Sequence, residues 1–355
     1  MKFTIEKTTL ENNLKALSPF VNKRDNSNIT SCIKIEVNGY DLVLSATDYE
    51  YGLKTNIENM GNIEDGLCNI NLSTLISSIS RLKAGEVEIT LNNDILTIKQ
   101  KRSKVNLATF DDEFPKLYED VENMNSIKID CIELNNSIKS VISGIDPNNP
   151  KIELGGVLFD IKDSKLNVVS TDTKCLIVNN IELDLDVEDK IIIPKKSIVE
   201  IQKLLADDTI IYYDDTNIII DSNNSIMFSR LINGKFPDYN RVIPTSSKYN
   251  FTLNANEINE AIKCVTGLNN NVTMTFSSNE IKVESAEDKN NSETFIDINL
   301  DIDEDFTIIF DSKFMTNFLN TITGDFNIKM NDVNLPILLE KDNLKTIVMP
   351  VVQNN

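Results

Sequence analysis

The chain has 355 residues, enough for two or three domains, and its 55 acidic and 35 basic side chains give a formal net charge of −20. Its hydrophobic content of 41% is typical of a globular protein. The absence of histidine excludes Ser-His-Asp and Cys-His catalysis and imidazole-ligated metals, and the negative charge disfavours a protein that adheres to DNA over its whole surface.

Other common signals of catalysis, secretion and membrane insertion are missing from the sequence. Neither GxGxxG nor GxxxxGK[ST] occurs, and acidic clusters such as Asp111–Glu113 and Asp301–Asp305 fit solvated loops better than metal sites. The start, Met1–Glu6, has no apolar run behind a basic region, and no apolar run reaches the roughly 18 residues of a membrane span. Five widely spaced cysteines without a CxxC pair fit reduced thiols. We therefore expect a cytoplasmic protein that is not an enzyme and that has no cofactor or metal.

The first third of the chain predicts a strand, a helix, strands, a second helix and further strands. In order, these are a strand at Lys2–Glu6, a helix over residues 8–20 capped by Thr8 or Thr9, strands at Ile33–Val37 and Leu42–Ala46, a helix over residues 73–83 opened by Asn71 or Ser73 and ended by Gly85, and strands at Val87–Leu91, Ile95–Lys99 and Val105–Ala108. Alternating apolar residues indicate the strands, and apolar residues at i, i+4 and i+7 indicate the helices. The proline of Phe114-Pro115 ends the unit.

The same order of elements recurs twice. The second set has helices over residues 134–145 and 195–205, with strands at Gly156–Ile161, Leu166–Ser170, Ile191–Ile193, Ile210–Tyr213, Ile218–Asp221 and Ser225–Leu231. The third set has helices over residues 256–267 and 312–323, with strands near Val272–Phe276, Ile281–Ser285, Asn327–Met330 and Ile337–Leu339. No long linker separates the sets, so we expect short connections between them.

A period of 124 residues relates the three sets. The first helix of each set has the same apolar register, which is Leu10, Leu14 and Leu17, then Leu134, Ile138 and Val141, then Ile258, Ile262 and Val265. The residue leading into each of these helices also repeats, as Phe3, Ile127 and Phe251. We predict an α+β fold of three tandem copies of one domain, with two helices packed on antiparallel sheets in each copy. The predicted domains are residues 1–123, 124–247 and 248–355.

The predicted helices do not share the negative charge of the chain. They contain nine basic and four acidic side chains, a net charge of +5, so the remainder of the chain carries −25. The basic side chains are Lys15, Arg81, Lys83, Lys139, Lys195, Lys196, Lys203, Lys263 and Lys313, and Lys23 and Arg24 follow the first helix. A general preference of helices for lysine is one explanation. The other is a mildly basic surface that faces a polyanion, and the small number of cations per helix suits loose phosphate contact without base readout.

Several motifs establish a resemblance over the whole chain. The most specific is GKFPDYNRVIP at Gly234–Pro244, and it is supported by Met1–Thr4, Ala46–Glu50, Leu154–Phe159, Ser170–Asp172 and Val348–Pro350. The Thr-Asp pairs that begin at Thr47 and Thr171 are themselves 124 residues apart. In these motifs the chain resembles the bacterial DNA sliding clamp, the beta subunit of DNA polymerase III.

The resemblance implies a head-to-tail homodimer in which two chains of three clamp domains close a six-domain ring. The twelve helices would line the hole and face double-stranded DNA, and the sheets would lie outside. The implied function is that of a processivity factor in DNA replication, a non-catalytic ring that slides on DNA and tethers the polymerase. The implied partners are a second copy of the chain, the replicative polymerase subunit, the clamp loader and other clamp-binding proteins, with no membrane.

The resemblance also implies a pocket for partner peptides between the middle and last domains. The matching positions are Leu154, Thr171, Lys174, Leu176, Pro237, Arg241, Val242, Phe314, Pro336, Val348, Met349 and Pro350. An apolar cleft with a soft methionine and a cation at its rim suits a short extended peptide with leucine or phenylalanine anchors. Without the resemblance, Leu154, Leu176 and Val348 are more simply interpreted as core residues.

The family's closing contact joins the first domain of one chain to the third domain of the other. Val105 and Leu107 match one side of that contact, and Leu268 matches the other side. An apolar residue on an edge strand needs a partner, which agrees with pairing at this position.

The sequence departs from the family at one motif, and it leaves two rival functions to consider. After Thr171-Asp172 the family usually has Gly-His-Arg, whereas this chain has Thr173-Lys174-Cys175. The first rival is a three-domain β-rich adhesin or surface scaffold, against which the odd number of cysteines and the missing secretion signal count. The second is a nuclease or polymerase with a carboxylate-bound metal, which needs clustered acidic residues that the repeat does not bring together.

Overall fold

Strands dominate the structure, a computed structural model that describes residues 1–24, 28–58, 61–118, 120–184, 187–267, 269–287 and 290–351. The chain divides into two compact units, which we call the first unit and the second unit. The first unit comprises Met1–Cys131 and Val199–Leu231, and the second comprises Ile132–Ile198 and Ile232–Asn355.

Antiparallel strands form all four described sheets. In chain order the strands are β1 (Lys2–Glu6), β2 (Cys32–Asn38), β3 (Asp41–Thr47), β4 (Tyr51–Ile57), β5 (Gly61–Glu64), β6 (Gly66–Asn71), β7 (Glu86–Asn92), β8 (Ile95–Gln100), β9 (Ser103–Ala108), β10 (Asn125–Lys128), β11 (Gly156–Lys162), β12 (Lys165–Thr171), β13 (Cys175–Glu182), β14 (Asp189–Pro194), β15 (Ile210–Tyr213), β16 (Asn217–Ser222), β17 (Ser225–Arg230), β18 (Tyr249–Asn254), β19 (Asn271–Phe276), β20 (Glu280–Glu287), β21 (Asn290–Asp297), β22 (Phe306–Asp311), β23 (Asp325–Met330), β24 (Ile337–Lys341) and β25 (Leu344–Val348).

The first unit contains two sheets. A five-stranded sheet has the order β5-β1-β7-β8-β9, which leaves β9 as an edge strand. An eight-stranded sheet has the order β10-β15-β16-β17-β4-β3-β2-β6. In this sheet β17 pairs with β4 and Met227 lies opposite Leu53, so strands from the second third of the sequence continue the sheet of the first third.

The second unit also contains an eight-stranded sheet, with the order β14-β11-β12-β13-β25-β24-β23-β18. Here β13 pairs with β25, and the register places Cys175 opposite Val348 and Leu176 opposite Ile347. A four-stranded sheet with the order β21-β20-β19-β22 completes the unit. The pairing of β13 with β25 brings strands that are about half the chain apart in sequence into direct contact.

Six described helices carry the repeat that the sequence predicts. They are α1 (Lys7–Leu17), α2 (Leu72–Ser80), α3 (Cys131–Val141), α4 (Lys195–Leu204), α5 (Ala255–Val265) and α6 (Ser312–Leu319). All nine apolar residues of the predicted repeat in α1, α3 and α5 are buried, and so are Phe3, Ile127 and Phe251. Each of these helices therefore packs its apolar stripe into the core, as the spacing predicts.

The ends of several helices differ from the predictions. The first begins at Lys7 with Glu6 as its N-cap and no side-chain cap, so the predicted cap by Thr8 or Thr9 is wrong. The backbone N–H of Lys7 instead donates to the carbonyl of Gly85 at 3.1 Å, which satisfies a helix N–H without a side chain. At the second helix Asn71 is the cap, because its side chain accepts a hydrogen bond from the N–H of Thr74.

The helices are also shorter than predicted at their C-terminal ends. A 3₁₀ turn at Ser18–Phe20 follows α1, α2 stops at Ser80 well before Gly85, and α6 stops at Leu319. With the observed bounds the six helices contain eight basic and five acidic residues, a net charge of +3. The helical charge is thus still positive in an acidic chain, but it is smaller than the +5 predicted from the sequence.

No disulfide forms among the cysteines in the part of the chain that the structure describes. Cys32, Cys68, Cys131 and Cys175 are buried free thiols, and Cys264 is an exposed one. Burial raises the pKa of Cys68 to about 12, so this thiol is a core group and not a nucleophile. No described helix is long and apolar enough to cross a membrane.

Candidate functional site

A cavity of about 240 Å³ lies in the second unit, beside the pairing of β13 with β25. Its lining comes from four segments. They are the turn between β12 and β13, the connector (residues 232–248, between β17 and β18), the end of β25 and the region of a short 3₁₀ turn before β11. The lining residues are Lys151, Leu154, Thr171, Thr173, Lys174, Cys175, Leu176, Pro237, Asp238, Tyr239, Val242, Ile347 and Met349.

The floor of the cavity is apolar and belongs to the core. Leu154, Leu176 and Ile347 are buried and belong to one hydrophobic cluster. Val242 and Met349 are 46% and 39% exposed, although both are apolar. An apolar floor with exposed apolar residues at its edge can bind an apolar side chain of a partner, because that contact removes further surface from water.

Thr171 and Asp172 shape one wall by holding the turn between β12 and β13. The Thr171 hydroxyl donates to the carbonyl of Cys175 at 2.7 Å and accepts from the N–H of Thr173 at 3.1 Å. A carboxylate oxygen of Asp172 accepts from the N–H groups of Lys174 and Cys175, at 2.9 and 2.8 Å. Met349 is attached to the same turn, because its N–H donates to the carbonyl of Lys174 at 2.9 Å.

The Thr-Asp pair of the first unit makes the same turn. Thr47 donates to the carbonyl of Tyr51 at 3.0 Å and accepts from the N–H of Tyr49 at 3.0 Å. Asp48 accepts from the N–H groups of Glu50 and Tyr51. Because the hydrogen bonds recur 124 residues away, the repeated Thr-Asp motif is explained by this turn.

Thr173 takes a backbone conformation that favours glycine. Its φ is +79°, and φ is +74° at Tyr49, which occupies the same position of the first turn. A β-branched residue is strained in this region, where glycine is not. The departure from Gly-His-Arg in the sequence thus places threonine at a position whose geometry suits glycine.

The polar groups at the rim are of both signs. Lys151 and Lys174 are exposed and line the cavity, as does Asp238. Arg241 is exposed but does not line the cavity, and its Nε lies 2.8 Å from a carboxylate oxygen of Asp238. The rim therefore has two lysines available to a partner and one arginine that is already paired.

Seven of the twelve residues expected at the pocket line this cavity, and five do not. The seven are Leu154, Thr171, Lys174, Leu176, Pro237, Val242 and Met349, and the five are Arg241, Phe314, Pro336, Val348 and Pro350. Val348 is fully buried and follows Ile347 in β25, so strand alternation directs the two side chains to opposite faces. Phe314 is buried in α6, and Pro336 and Pro350 are half-buried.

Sequence reasoning missed six lining residues: Lys151, Thr173, Cys175, Asp238, Tyr239 and Ile347. Three of them are direct neighbours of predicted residues in the same turn or connector. Ile347 is opposite Leu176 in the β13–β25 pairing, so alternation would have selected it once that register was known.

A larger cavity, of about 790 Å³, lies in the first unit against β2, β3 and β4. Its lining includes three lysines and three acidic residues, which are Lys34, Lys54, Lys116, Glu36, Glu113 and Asp120. These charges interrupt the apolar part of the lining, which comprises Val43, Phe114, Pro115, Leu117 and Tyr118. Despite its smaller volume, the cavity of the second unit is the better candidate for a peptide pocket.

The candidate DNA-facing side chains are exposed with one exception. In the first unit these are Lys15, Lys23, Arg24, Arg81, Lys83 and Lys203, and in the second unit Lys139, Lys196, Lys263 and Lys313. The exception is Lys195, which is half-buried and donates from Nζ to the carbonyl of Ile145 at 3.1 Å.

Two of the exposed lysines are paired within their own helices. Lys15 lies 2.7 Å from Glu11 in α1, and Lys203 lies 2.7 Å from Glu200 in α4. The hydrogen bond from Lys15 lowers the pKa of Glu11, and a hydrogen bond from Lys7 adds to the effect.

The candidate dimer contact lies on the edge strand β9. Val105 and Leu107 are half-buried and two residues apart, so they share one face of this strand. The expected partner position, Leu268, lies outside the described residues.

Family comparisons assign almost the whole length of the chain. Models of the N-terminal, central and C-terminal domains of the DNA polymerase III beta subunit match residues 1–118, 128–238 and 240–352. The chain belongs to the DNA polymerase III beta subunit family. It therefore consists of three clamp domains, and it is a non-catalytic accessory subunit of a polymerase.

Named relatives and a solved structure agree with the family assignment. The chain is 32% identical to the beta sliding clamp of Helicobacter pylori strain J99, over 99% of this chain and 100% of that protein. It is 26% identical to the beta sliding clamp of Bacillus subtilis strain 168, over 99% of both. The crystal structure of the Helicobacter pylori beta clamp bound to a DNA ligase peptide matches with a TM-score of 0.93 and 32% identity, over 99% of this chain and 100% of that one.

Proposed function

We propose that two copies of this chain form a head-to-tail ring that encircles duplex DNA, slides without sequence specificity and tethers the replicative polymerase and other clients. The observation that carries the proposal is the apolar cavity of the second unit, lined by Leu154, Leu176 and Met349, in a chain that matches beta clamps over its full length. The proposed site of action is the cytoplasm.

The cavity suits a short extended peptide better than a folded partner. A volume of about 240 Å³ accommodates one or two large side chains. The related Helicobacter pylori clamp, whose structure holds a DNA ligase peptide, supports this class of ligand. We propose that a leucine or phenylalanine of the client contacts the apolar floor while Lys151 and Lys174 contact polar or acidic flanking residues.

The helices supply the proposed DNA-facing surface. Their net charge is positive in a chain of charge −20, so phosphate is attracted where helices are exposed and repelled elsewhere. Few cations on each helix favour weak contacts that are easily exchanged, and such contacts allow sliding. We propose that the ten exposed cations of the predicted set belong to this surface, which are Lys15, Lys23, Arg24, Arg81, Lys83, Lys139, Lys196, Lys203, Lys263 and Lys313.

The proposed ring closes through β9. No strand among the described residues pairs with its outer edge, and Val105 and Leu107 provide an apolar face for a second copy. We place the other side of the contact at the third domain, including Leu268. The three domains are proposed to extend over residues 1–123, 124–247 and 248–355.

Retention on DNA of different topology tests the ring. The protein is loaded by its clamp loader onto nicked circular DNA, washed at high salt and separated from free protein by gel filtration. We expect the protein to stay on circular DNA and to be lost after the circle is cut, because a closed ring leaves only over an end. Loss at high salt from both forms would contradict the proposal, since salt weakens simple electrostatic binding regardless of topology.

A further inference from the structure

A buried carboxylate with two partly exposed lysine partners lies beneath one wall of the pocket. Asp160 in β11 is fully buried, and the hydroxyl of Tyr239 donates to its Oδ2 at 2.6 Å. The Nζ atoms of Lys162 and Lys190 lie 3.6 and 3.4 Å from the two carboxylate oxygens. We propose that Asp160 is a positioning residue of the peptide pocket, which holds the wall formed by the connector in place through Tyr239. The inference rests on the proposed peptide-binding function.

Tyr239 belongs both to the wall and to the core. Its side chain lines the cavity, and it packs with Phe236 in the hydrophobic cluster of the second unit. Pro237, Asp238 and Val242 are its near neighbours in sequence and also line the cavity. A shift of Tyr239 would therefore move most of this wall.

The connector has weak backbone hydrogen bonds of its own. It contains a short 3₁₀ turn at Tyr239–Val242. The N–H groups of Arg241 and Ile243 donate to the carbonyls of Asp238 and Asn240. Both N···O distances are 3.4 Å, which is long for a hydrogen bond. The 2.6 Å bond to a buried carboxylate is the stronger constraint, because hydrogen bonds to charged groups are the stronger kind.

Packing at position 160 does not by itself require a charged side chain. Burying a carboxylate is costly, and a buried ion pair often contributes no more stability than apolar residues of similar volume would at both of its positions. At the matching position of the first copy, 124 residues earlier, Glu36 is paired with Lys34 and is half-exposed. The Phe-Pro pairs at Phe114 and Phe236 are 122 residues apart, and on that offset Leu117, which has no hydroxyl, corresponds to Tyr239.

The hydroxyl of Tyr239 remains a donor across the neutral range. Burial raises the pKa of Tyr239, and its hydrogen bond to the Asp160 carboxylate raises it further. The hydroxyl therefore keeps the proton that it donates to Asp160 at neutral pH, which suits a positioning role.

The test measures peptide affinity in full-length variants. The probe is a short fluorescein-labelled synthetic peptide with leucine and phenylalanine anchors, and binding is followed by anisotropy. In Tyr239→Phe and in Asp160→Leu we expect affinity to fall about tenfold, because the wall would occupy its binding position about a tenth of the time. Asp160→Asn keeps an oxygen that accepts the Tyr239 hydrogen bond, and we expect it to restore affinity to within about twofold of the native chain.

A matched control separates positioning from general destabilisation. Tyr51 is a buried tyrosine of the first unit whose hydroxyl donates to the carbonyl of Pro19, far in sequence from any lining residue. We expect Tyr51→Phe to lower the melting temperature, as Tyr239→Phe does, while leaving peptide affinity unchanged. Asp160→Leu is also expected to lower the melting temperature, because it leaves the buried Tyr239 hydroxyl without its acceptor, but unlike Tyr51→Phe it should lose peptide affinity.

The outcomes distinguish the two proposals. Native affinity in either Tyr239→Phe or Asp160→Leu overturns the positioning role, and so does an equal loss of affinity in Tyr51→Phe. If Tyr239→Phe does not fold, Asp160→Leu and its rescue by Asp160→Asn decide the question. A native chain that does not bind the peptide at all instead contradicts the proposed function.

Discussion

Leu176 and Ile347 lie opposite each other in the pairing of β13 with β25, and both side chains reach the floor of the apolar cavity. The two residues are 171 positions apart, so the floor exists only when the middle and last copies share one sheet. Thr171 and Asp172 then hold the adjoining turn against Met349. The pocket is thus formed by the same pairing that builds the second unit.

We expect Met349→Ala to weaken peptide binding about tenfold while leaving the dimer intact. Met349 is 39% exposed and lines the cavity, so a bound peptide covers a side chain that the variant lacks. Fluorescence anisotropy measures the affinity for the peptide, and sedimentation shows whether the dimer is intact. The matched control is Val333→Ala, an apolar residue of similar exposure that does not line the cavity, for which the affinity should not change.

Arg241→Ala tests the rim separately. Arg241 is paired with Asp238 and stands outside the cavity lining, so we expect a loss of affinity smaller than that of Met349→Ala. A rim ion pair exposed to water contributes little. If Met349→Ala, Arg241→Ala and the native chain bind the peptide with equal affinity, this cavity is not the binding site.

We expect Thr173→Gly to raise the free energy of unfolding by about 0.5–1 kcal/mol. A threonine at φ +79° is strained by roughly 1–2 kcal/mol, and the greater freedom of glycine in the unfolded chain offsets part of the gain. Urea unfolding measures the change. Thr266, at φ −76°, is the control position, and Thr266→Gly should lower stability because no strain is relieved there. A loss of stability in Thr173→Gly would show that the turn is not strained.

The difference between predicted and observed features follows from the range of the interactions. Helix registers such as Leu10, Leu14 and Leu17 depend on local periodicity, which the sequence displays directly. Ile347 and Tyr239 line the pocket because of a strand register and a connector path, and neither depends on local pattern. The start of α1 at Lys7 was mispredicted for the same reason, since the Lys7 N–H donates to the carbonyl of Gly85, which is distant in sequence.

Asp214 should make stability depend on pH. Burial alone would raise its pKa, but hydrogen bonds from Thr216 and Asn217 outweigh burial and hold the pKa below the ordinary 3.8. Because the folded pKa is the lower one, the contribution is present above the unfolded pKa and is lost as the pH falls through the folded value.

Unfolding of Asp214→Asn between pH 7 and pH 2 measures this contribution. At pH 7 we expect the free energy of unfolding of Asp214→Asn to be about 1 kcal/mol lower than that of the native chain, since the half-exposed carboxylate is partly screened by water. This deficit should shrink towards pH 2. Asp215→Asn, at the exposed neighbouring residue, is the control and should show no deficit. A deficit in Asp214→Asn that is constant with pH would contradict the role of the charge.

Lys139 and Lys195 should differ in their contribution to DNA binding. Lys139 is exposed on α3, whereas the Lys195 ammonium donates to the carbonyl of Ile145. We expect Lys139→Ala to lower the slope of log affinity against log salt by about 0.9, as for one lost phosphate contact. Lys195→Ala should change the slope less and the melting temperature more. Salt titrations with a short duplex measure both slopes, and the reverse order would exclude this assignment of the helical surface.

Leu107→Asp should convert the dimer to monomers. Leu107 is half-buried on the edge strand β9, and a carboxylate at that position would be buried without a partner when a second copy docks. We expect the dimer dissociation constant to rise at least about a hundredfold, measured by analytical ultracentrifugation over a range of concentrations. Asn106→Asp adds the same charge to the opposite face of the strand, where it still accepts the hydrogen bond from Thr97, and it should leave the dimer unchanged. A Leu107→Asp protein that remains dimeric while Asn106→Asp dissociates would move the contact to the other face of β9.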